Sequence, residues 1–168
     1  MIPLFKVYMS TQAKNEAAKI LDCGFIGQGP KVDEFEKELE KTYNKGTAIT
    51  TNSGTSAETL AFRLLQNPDI NQKNFDGMAY WDSKWPGIES GDEVLTTALT
   101  CTATNWPILA SGMNIKWVDV DPTNLNMDLD DLEKKLSPKT KVIYVVHWGG
   151  NPIDLRRLKQ IQERAHKV

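Results

Sequence analysis

The nine residues Thr50-Thr51-Asn52-Ser53-Gly54-Thr55-Ser56-Ala57-Glu58 join a short β-like run, residues 47–51, to a helical run, residues 57–66. A strand that passes through small residues into a helix exposes backbone N–H groups at the positive end of the helix dipole. The turn therefore suits an anion such as the phosphate of a small molecule. The spacing of Thr55 and Glu58 also fits a capping box, in which the turn would only close the helix.

The composition is that of an ordinary folded domain. The chain has 168 residues, of which 40% are hydrophobic and 25% charged, and this length suits one domain. Its 20 basic and 22 acidic residues are mixed without a basic stripe, so we expect no nucleic-acid partner. The longest apolar run, residues 142–146, is too short to cross a bilayer, and the N-terminus lacks the apolar segment of a signal peptide. We therefore expect no membrane partner and a cytoplasmic location.

The chain has two cysteines, Cys23 and Cys101. Two cysteines cannot form a disulfide framework or a metal cluster of their own, so we expect no metal site. Their number fits a reducing compartment.

The hydrophobic periodicity predicts strands that alternate with helices. Strands are expected at residues 47–51, 93–97, 114–120 and 141–146. The first two predicted helices are residues 10–22, capped by Ser10, and 31–43, ended by residues 44–46, of which Gly46 suits a left-handed cap. A helix at 57–66 is expected to bury Ala57, Leu60, Ala61, Leu64 and Leu65. The remaining predicted helices are 102–111, containing Pro107; one to about 136, capped by Asp128 or Asn126; and one from 155. This alternation is typical of an α/β fold with a mostly parallel sheet and flanking helices. Residues 67–90 fit no regular element and are interpreted as an insertion.

Three polar or glycine-rich loops follow predicted strands, at residues 53–56, 98–104 and 147–151. Ligands of open parallel sheets bind outside the carboxyl ends of the strands. The topology therefore predicts that these loops meet at one ligand-binding edge.

An ordered series of motifs resembles one family. The series consists of residues 27–36, 53–57, 91–94, 100–104, 118–121, 139–141 and 146–150. Together they are similar to the DegT/DnrJ/EryC1/StrS aminotransferases, pyridoxal-phosphate enzymes that act on nucleotide-linked keto-sugars. The resemblance implies the aspartate-aminotransferase-like (fold type I) architecture. Residues 1–168 would form a single incomplete α/β domain, the N-terminal part of the large cofactor-binding domain, with the insertion at about 67–90.

The resemblance also implies site roles. Gly54, Thr55 and Ser56 would hold the phosphate of pyridoxal 5′-phosphate, and the loop at 98–104 would run under the pyridine ring. The family usually places an aromatic side chain against that ring, where this chain has Cys101; a thiol could pack there as a small apolar group. His147 is expected to be structural or to form part of the pocket wall.

No catalytic residue is nominated in this chain. In the family, a carboxylate that pairs with the pyridine nitrogen follows a strand that would begin at Val168, and the Schiff-base lysine lies further on. We therefore expect residues 1–168 alone to be inactive.

The implied reaction is transfer of an amino group from an amino acid, with glutamate expected, to a keto-sugar nucleotide. It would serve the synthesis of a polysaccharide, such as lipopolysaccharide, or a glycan, and the enzyme would be a homodimer. Two alternatives stay open: a sugar-nucleotide dehydratase on the same scaffold, and a non-catalytic phosphate- or nucleotide-binding α/β module.

Overall fold

The computed structural model describes residues 6–44, 46–66 and 87–165. Most of the insertion predicted at about 67–90 lies outside the described residues. The contacts group the chain into two compact units, Met1–Thr50 and Thr51–Val168, which are described separately. The expectation of a single domain stays a prediction.

The first unit contains two helices, α1 (Thr11–Cys23) and α2 (Pro30–Tyr43). The Ser10 hydroxyl accepts a hydrogen bond from the Ala13 N–H at 3.0 Å, so the predicted cap of α1 is confirmed. The predicted end of α2 at residue 43 is confirmed, but the left-handed cap is Asn44 and not Gly46. Asn44 has a φ of 49°, and its N–H reaches the Lys41 carbonyl. Asparagine tolerates this conformation and can therefore cap the helix in place of glycine.

The strand predicted at residues 47–51 is also wrong, because the structure assigns no strand there. Carboxylates of α2 take up the backbone donors that a strand would pair. The Ala48 N–H donates to Glu40 at 3.1 Å, and the Thr50 N–H donates to Glu36 at 2.7 Å. Each buried or half-buried backbone donor needs one acceptor, and here a side chain supplies it.

The second unit is built on three parallel strands in the order β2-β1-β3. They are β1 (Glu93–Thr97), β2 (Asn114–Val118) and β3 (Thr140–Ile143). Leu95 of the central strand pairs with Lys116 on one side and Ile143 on the other. The mixed α/β fold with a parallel sheet and flanking helices is therefore confirmed.

Within the described part of this unit, four helices accompany the sheet: α3 (Gly54–Gln66), α4 (Thr102–Ala110), α5 (Leu129–Lys135) and α6 (Leu155–Ala165). Asp128, and not Asn126, caps α5 by accepting from two backbone N–H groups of its first turn. A 3-10 turn, Trp148–Gly150, follows β3.

The core of the second unit has two layers, one on each face of the sheet. Leu95, with no exposed surface, packs on one face with Val118, Leu132 and Ile161. On the other face the cluster consists of Phe62, Ile88, Val94, Ile108 and Met113. Alternate residues of β1 therefore serve opposite layers, as a strand covered on both faces requires.

The predicted buried face of α3 was wrong except at Leu65, which is partly buried against the core. Phe62 is buried at 3% exposure, whereas Leu60 and Leu64 are 52% and 53% exposed. The Phe62 ring meets the Tyr144 ring edge-on, with centroids 5.5 Å apart and planes at 86°. This aromatic contact turns the phenylalanine side of α3 to the sheet, because an aromatic ring buries a large apolar area and gains from the edge-on geometry.

Glu93 begins the central strand and anchors the amino-terminal end of the sheet. Its carboxylate accepts hydrogen bonds from the Thr140 hydroxyl at 2.6 Å and the Ser137 hydroxyl at 2.9 Å, and it lies 3.5 Å from the Lys116 ammonium. Burial by itself would raise the pKa of Glu93, but these donors outweigh it and hold the pKa below its ordinary value.

This lowered pKa predicts an acid-dependent stability. Because the folded-state pKa of Glu93 is below its ordinary value of 4.5, its contribution is present above that pH and is lost as the pH falls through the folded-state pKa. Glu93→Gln should flatten the acid limb of the stability curve, measured by denaturant unfolding between pH 7 and pH 3. The exposed Glu89 supplies the control, Glu89→Gln. Equal acid limbs for the two variants would contradict the assignment.

Candidate functional site

Hydroxyl groups within the turn before α3 bind one another. The Ser53 hydroxyl accepts from the Ser56 N–H at 3.2 Å and lies 3.1 Å from the Ser56 hydroxyl. The Ser56 hydroxyl in turn donates to the Asn52 side-chain carbonyl at 2.6 Å. Ser53 therefore caps α3, and Asn52 fixes the direction of the Ser56 side chain.

The capping box predicted from Thr55 and Glu58 is not formed. The helix begins at Gly54, so Thr55 lies inside its first turn and Ser53 is the capping residue. Glu58 lies near the Tyr144 hydroxyl, beyond the end of β3. Burial of the Tyr144 ring, together with this carboxylate, raises the pKa of Tyr144 well above its ordinary value.

Two backbone donors at the start of α3 have no acceptor among the described residues: the N–H groups of Gly54 and Thr55. A Cβ built on Gly54 would have no heavy atom within 4 Å, so the space in front of the turn is open. Unpaired N–H groups at a helix start with open space before them can receive an anion. The geometry thus leaves room for a phosphate at the three nominated residues Gly54, Thr55 and Ser56.

The starts of α3 and α4 lie at the same edge of the sheet. Their far ends meet, because the Gln66 side-chain amide donates to the Ser111 carbonyl at 2.8 Å. The two helices pack against each other, so they run in the same direction. Since α4 follows the carboxyl end of β1, the turn at Ser53–Ser56 and the loop at 98–101 both stand at the carboxyl edge.

Cys101 lies at the start of α4, exposed and with a free thiol. The loop before it is held by Asn105, which donates to the Thr97 carbonyl at 3.2 Å and accepts from the Thr96 hydroxyl at 3.3 Å. A groove of about 280 Å³ adjoins this loop, and its lining includes Ala98, Thr100 and the exposed Trp106. The Cys101 thiol therefore lies at the carboxyl edge of the sheet, on a loop that the hydrogen bonds of Asn105 hold in place.

The third loop, residues 147–151, follows β3 at the same edge, because β3 is parallel to β1. His147 Nδ1 accepts a hydrogen bond from the Ile153 N–H at 3.3 Å. Gly149 and Gly150 both take left-handed φ angles, 60° and 81°, which lets the chain reverse within three residues. The bond from Ile153 gives His147 the structural role that its position suggested.

A larger cavity of about 630 Å³ lies apart from the nominated residues, between the loop before α5 and the start of α6. Its carboxylates already have partners. Asp128 caps α5, Asp154 accepts from two N–H groups of α6, Asp121 holds Thr123, and Asp130 pairs with Arg157. We therefore base the candidate site on the turn and loops of the carboxyl edge.

Sequence reasoning missed the side-chain amides that fix these loops. Asn52 orients Ser56, Asn105 holds the Cys101 loop, and Asn126 binds the loop after β3. Only the position of Asn52, one residue before the cap, could have been noticed as a turn signal. The partners of Asn126 are more than twenty residues away, and local spacing carries no trace of them.

The fold and this site define an α/β domain that can receive an anion at the carboxyl edge of its sheet, and comparison gives the family. A model of the DegT/DnrJ/EryC1/StrS aminotransferase family matches residues 8–75 and 77–168, so the chain belongs to that family. The resemblance predicted from the motif series is confirmed.

Solved structures agree on the fold. The chain is similar to AtS13 from Actinomadura melliaura, with 47% identity and a TM-score of 0.80, over 99% of this chain and 39% of AtS13. It is also similar to the sugar aminotransferase CalS13 from Micromonospora echinospora, with 42% identity and a TM-score of 0.78, over 98% of this chain and 39% of CalS13. It is also similar to the E. coli GDP-4-keto-6-deoxy-D-mannose-3-dehydratase with bound hydrated PLP (25%, 0.79; 96% of this chain, 38% of that one). The fold type I architecture is confirmed, and pyridoxal phosphate is confirmed as the cofactor at the level of the family.

The chain spans only part of these proteins. It covers 29–37% of the length of four curated relatives, of which one is named an aminotransferase and two are named dehydratases. The family therefore does not decide between the two reactions.

The described residues contain no helix that is both long and apolar enough to cross a bilayer. They also contain no group of three histidine, cysteine or acidic side chains placed to hold a metal ion.

Proposed function

We propose that this chain supplies the phosphate-binding half of the cofactor site in a pyridoxal-phosphate-dependent sugar aminotransferase. The complete protein would transfer an amino group from glutamate to a keto-sugar nucleotide, for the synthesis of a polysaccharide or glycan. The observation that carries this proposal is the pair of unpaired N–H groups on Gly54 and Thr55, in a chain whose family uses this cofactor.

The residues present fit the phosphate end of the cofactor. Gly54 and Thr55 offer two N–H donors on the dipole axis of a 13-residue helix. The single proton of the Ser56 hydroxyl is directed to Asn52, so Ser56 must turn away from Asn52 before it can donate to a phosphate. The backbone donors would therefore carry the first contact, and Ser56 would add a second.

The Cys101 thiol would form a small, polarizable contact surface for the pyridine ring in the same site. Its loop is fixed by Asn105, so the position of the thiol is set by hydrogen bonds and not by packing of a large side chain. When bound, pyridoxal phosphate supplies the aldehyde that carries the amino group and the ring that accepts electrons. The residues of this chain bind and orient that group.

The reaction is tested on the complete protein encoded by the gene. It is incubated with pyridoxal phosphate, nitrogen-15-labelled glutamate and a panel of nucleoside-diphosphate keto-sugars. We expect the label to appear in an amino-sugar nucleotide, with one 2-oxoglutarate formed for each amino group transferred. Glutamine in place of glutamate serves as the control donor. A sugar product that never carries the label would contradict amino transfer.

A sugar-nucleotide dehydratase is the second candidate, favoured by the similarity to the E. coli 3-dehydratase. The same assay separates the two reactions. A dehydratase would remove a hydroxyl group from the sugar and leave no labelled nitrogen in the product.

We further propose that the complete protein is a cytoplasmic homodimer with its active site at the subunit interface. The free and exposed Cys23 and Cys101 fit a reducing compartment. The expectation of a dimer comes from the family resemblance.

A further inference from the structure

Asn126 is the buried polar residue for which the proposed function gives no role. It is 3% exposed and lies between β2 and α5. Asp128 caps α5, so Asn126 is not needed at the helix start. A buried carboxamide that caps no helix still needs hydrogen-bond partners for its oxygen and its nitrogen.

Both ends of this carboxamide bind the loop after β3. The Asn126 Nδ2 donates to the Asn151 carbonyl at 3.1 Å, and its Oδ1 accepts from the Trp148 N–H at 3.0 Å. These partners lie 22 and 25 residues further along the chain. One side chain therefore holds the loop at two points.

The backbone that carries Asn126 is itself fixed. Its carbonyl accepts from the Asp121 N–H at 2.9 Å, and its N–H donates to the Asn124 side chain at 2.8 Å. Next to it, Met127 forms an antiparallel bridge with Val120. Asn126 is thus a rigid anchor and not a mobile side chain that happens to meet the loop.

The loop has little else to hold it. Residues 147–152 are exposed. The N–H groups of Gly150 and Asn151 donate only within the loop, to the His147 and Trp148 carbonyls at 3.0 Å each. Beyond these bonds, the Ile153 N–H to His147 Nδ1 contact is the remaining tie in the described part of the chain. Its shape therefore depends on Asn126.

We propose that Asn126 is a positioning residue that holds the loop at 147–151 as one wall of the cofactor site. This inference rests on the proposed function, because that function places pyridoxal phosphate at the carboxyl edge where the loop stands. Asn126 would act only through the backbone of the loop. A preorganised loop binds its ligand without first having to be ordered.

Two variants of the complete protein test this. Asn126→Asp keeps an acceptor for the Trp148 N–H but places an oxygen opposite the Asn151 carbonyl, and Asn126→Leu removes both bonds. We expect the affinity for pyridoxal phosphate to fall about 10-fold with leucine and less with aspartate. The visible circular dichroism of the bound cofactor should weaken, and the Trp148 amide should exchange its hydrogen faster in the leucine variant.

Thr140→Val is the matched control. It also removes hydrogen bonds of one side chain, to Glu93 and with the N–H and hydroxyl of Ser137, but at the opposite end of the sheet. It should lower stability while leaving cofactor affinity and circular dichroism within about twofold of the wild type. If the Asn126 variants change these signals no more than Thr140→Val at equal loss of stability, the positioning role is overturned. If the wild-type protein binds no pyridoxal phosphate, the proposed function fails, and this inference fails with it.

Discussion

Replacing Gly54 by glutamate should lower the affinity of the complete protein for pyridoxal 5′-phosphate by roughly 100- to 1,000-fold. The carboxylate would stand in the open space before the turn, beside the N–H groups that the phosphate needs. Two like charges about 4 Å apart repel by about 4 kcal/mol at the effective dielectric constant of a protein surface. Cofactor titration followed by absorbance measures the change.

The same substitution should leave the helix intact. A Cβ on Gly54 meets no neighbour, and an acidic residue at the start of a helix is favourable. Gly54→Gln is the control, since it adds nearly the same volume without the charge and should retain most of the affinity. Equal losses of cofactor affinity in the two variants would show that side-chain volume, and not charge, causes the effect. Unchanged affinity in both variants would show that the phosphate binds elsewhere.

Leu95→Ala should cost about 2–5 kcal/mol of unfolding free energy. Leu95 is fully buried in the central strand and packs with Val118, Leu132 and Ile161. Truncation to alanine removes contacts to several elements at once and leaves a cavity. Because β1 is paired with β2 on one side and β3 on the other, it cannot shift to close that cavity. Denaturant unfolding of the purified chain measures the loss.

Leu60→Ala is the control for this effect. Leu60 was predicted to be buried but is 52% exposed, so its truncation should cost less than about 0.5 kcal/mol in the same chain. If Leu60→Ala proved as costly as Leu95→Ala, the orientation of α3 described above would be wrong.

The order and type of most elements could be predicted from the sequence because their signals are local. Ser10 caps α1, Asp128 caps α5, and the β-branched runs at 93–97 and 140–143 form neighbouring parallel strands. The meeting of the loops at 98–104 and 147–151 followed from the rule that parallel strands end at one edge. The turn at 53–56 has no strand before it, and its place at that edge comes from the packing of α3 against α4.

The errors concern contacts between distant residues. The apolar spacing of α3 indicates a stripe but not how the helix is rotated, which the Phe62–Tyr144 contact decides. The run at 47–51 has strand-forming residues, yet Glu36 and Glu40 take up its backbone donors. The capping box failed because the helix begins one residue before Thr55, so Ser53 supplies the cap.

The structure of the complete protein with pyridoxal 5′-phosphate bound tests the central claim most directly. We predict that phosphate oxygens lie within about 3.2 Å of the backbone nitrogens of Gly54 and Thr55. The Ser56 hydroxyl should have turned from Asn52 to the phosphate. A cofactor whose phosphate lies elsewhere, with both N–H groups still unpaired, would contradict the account.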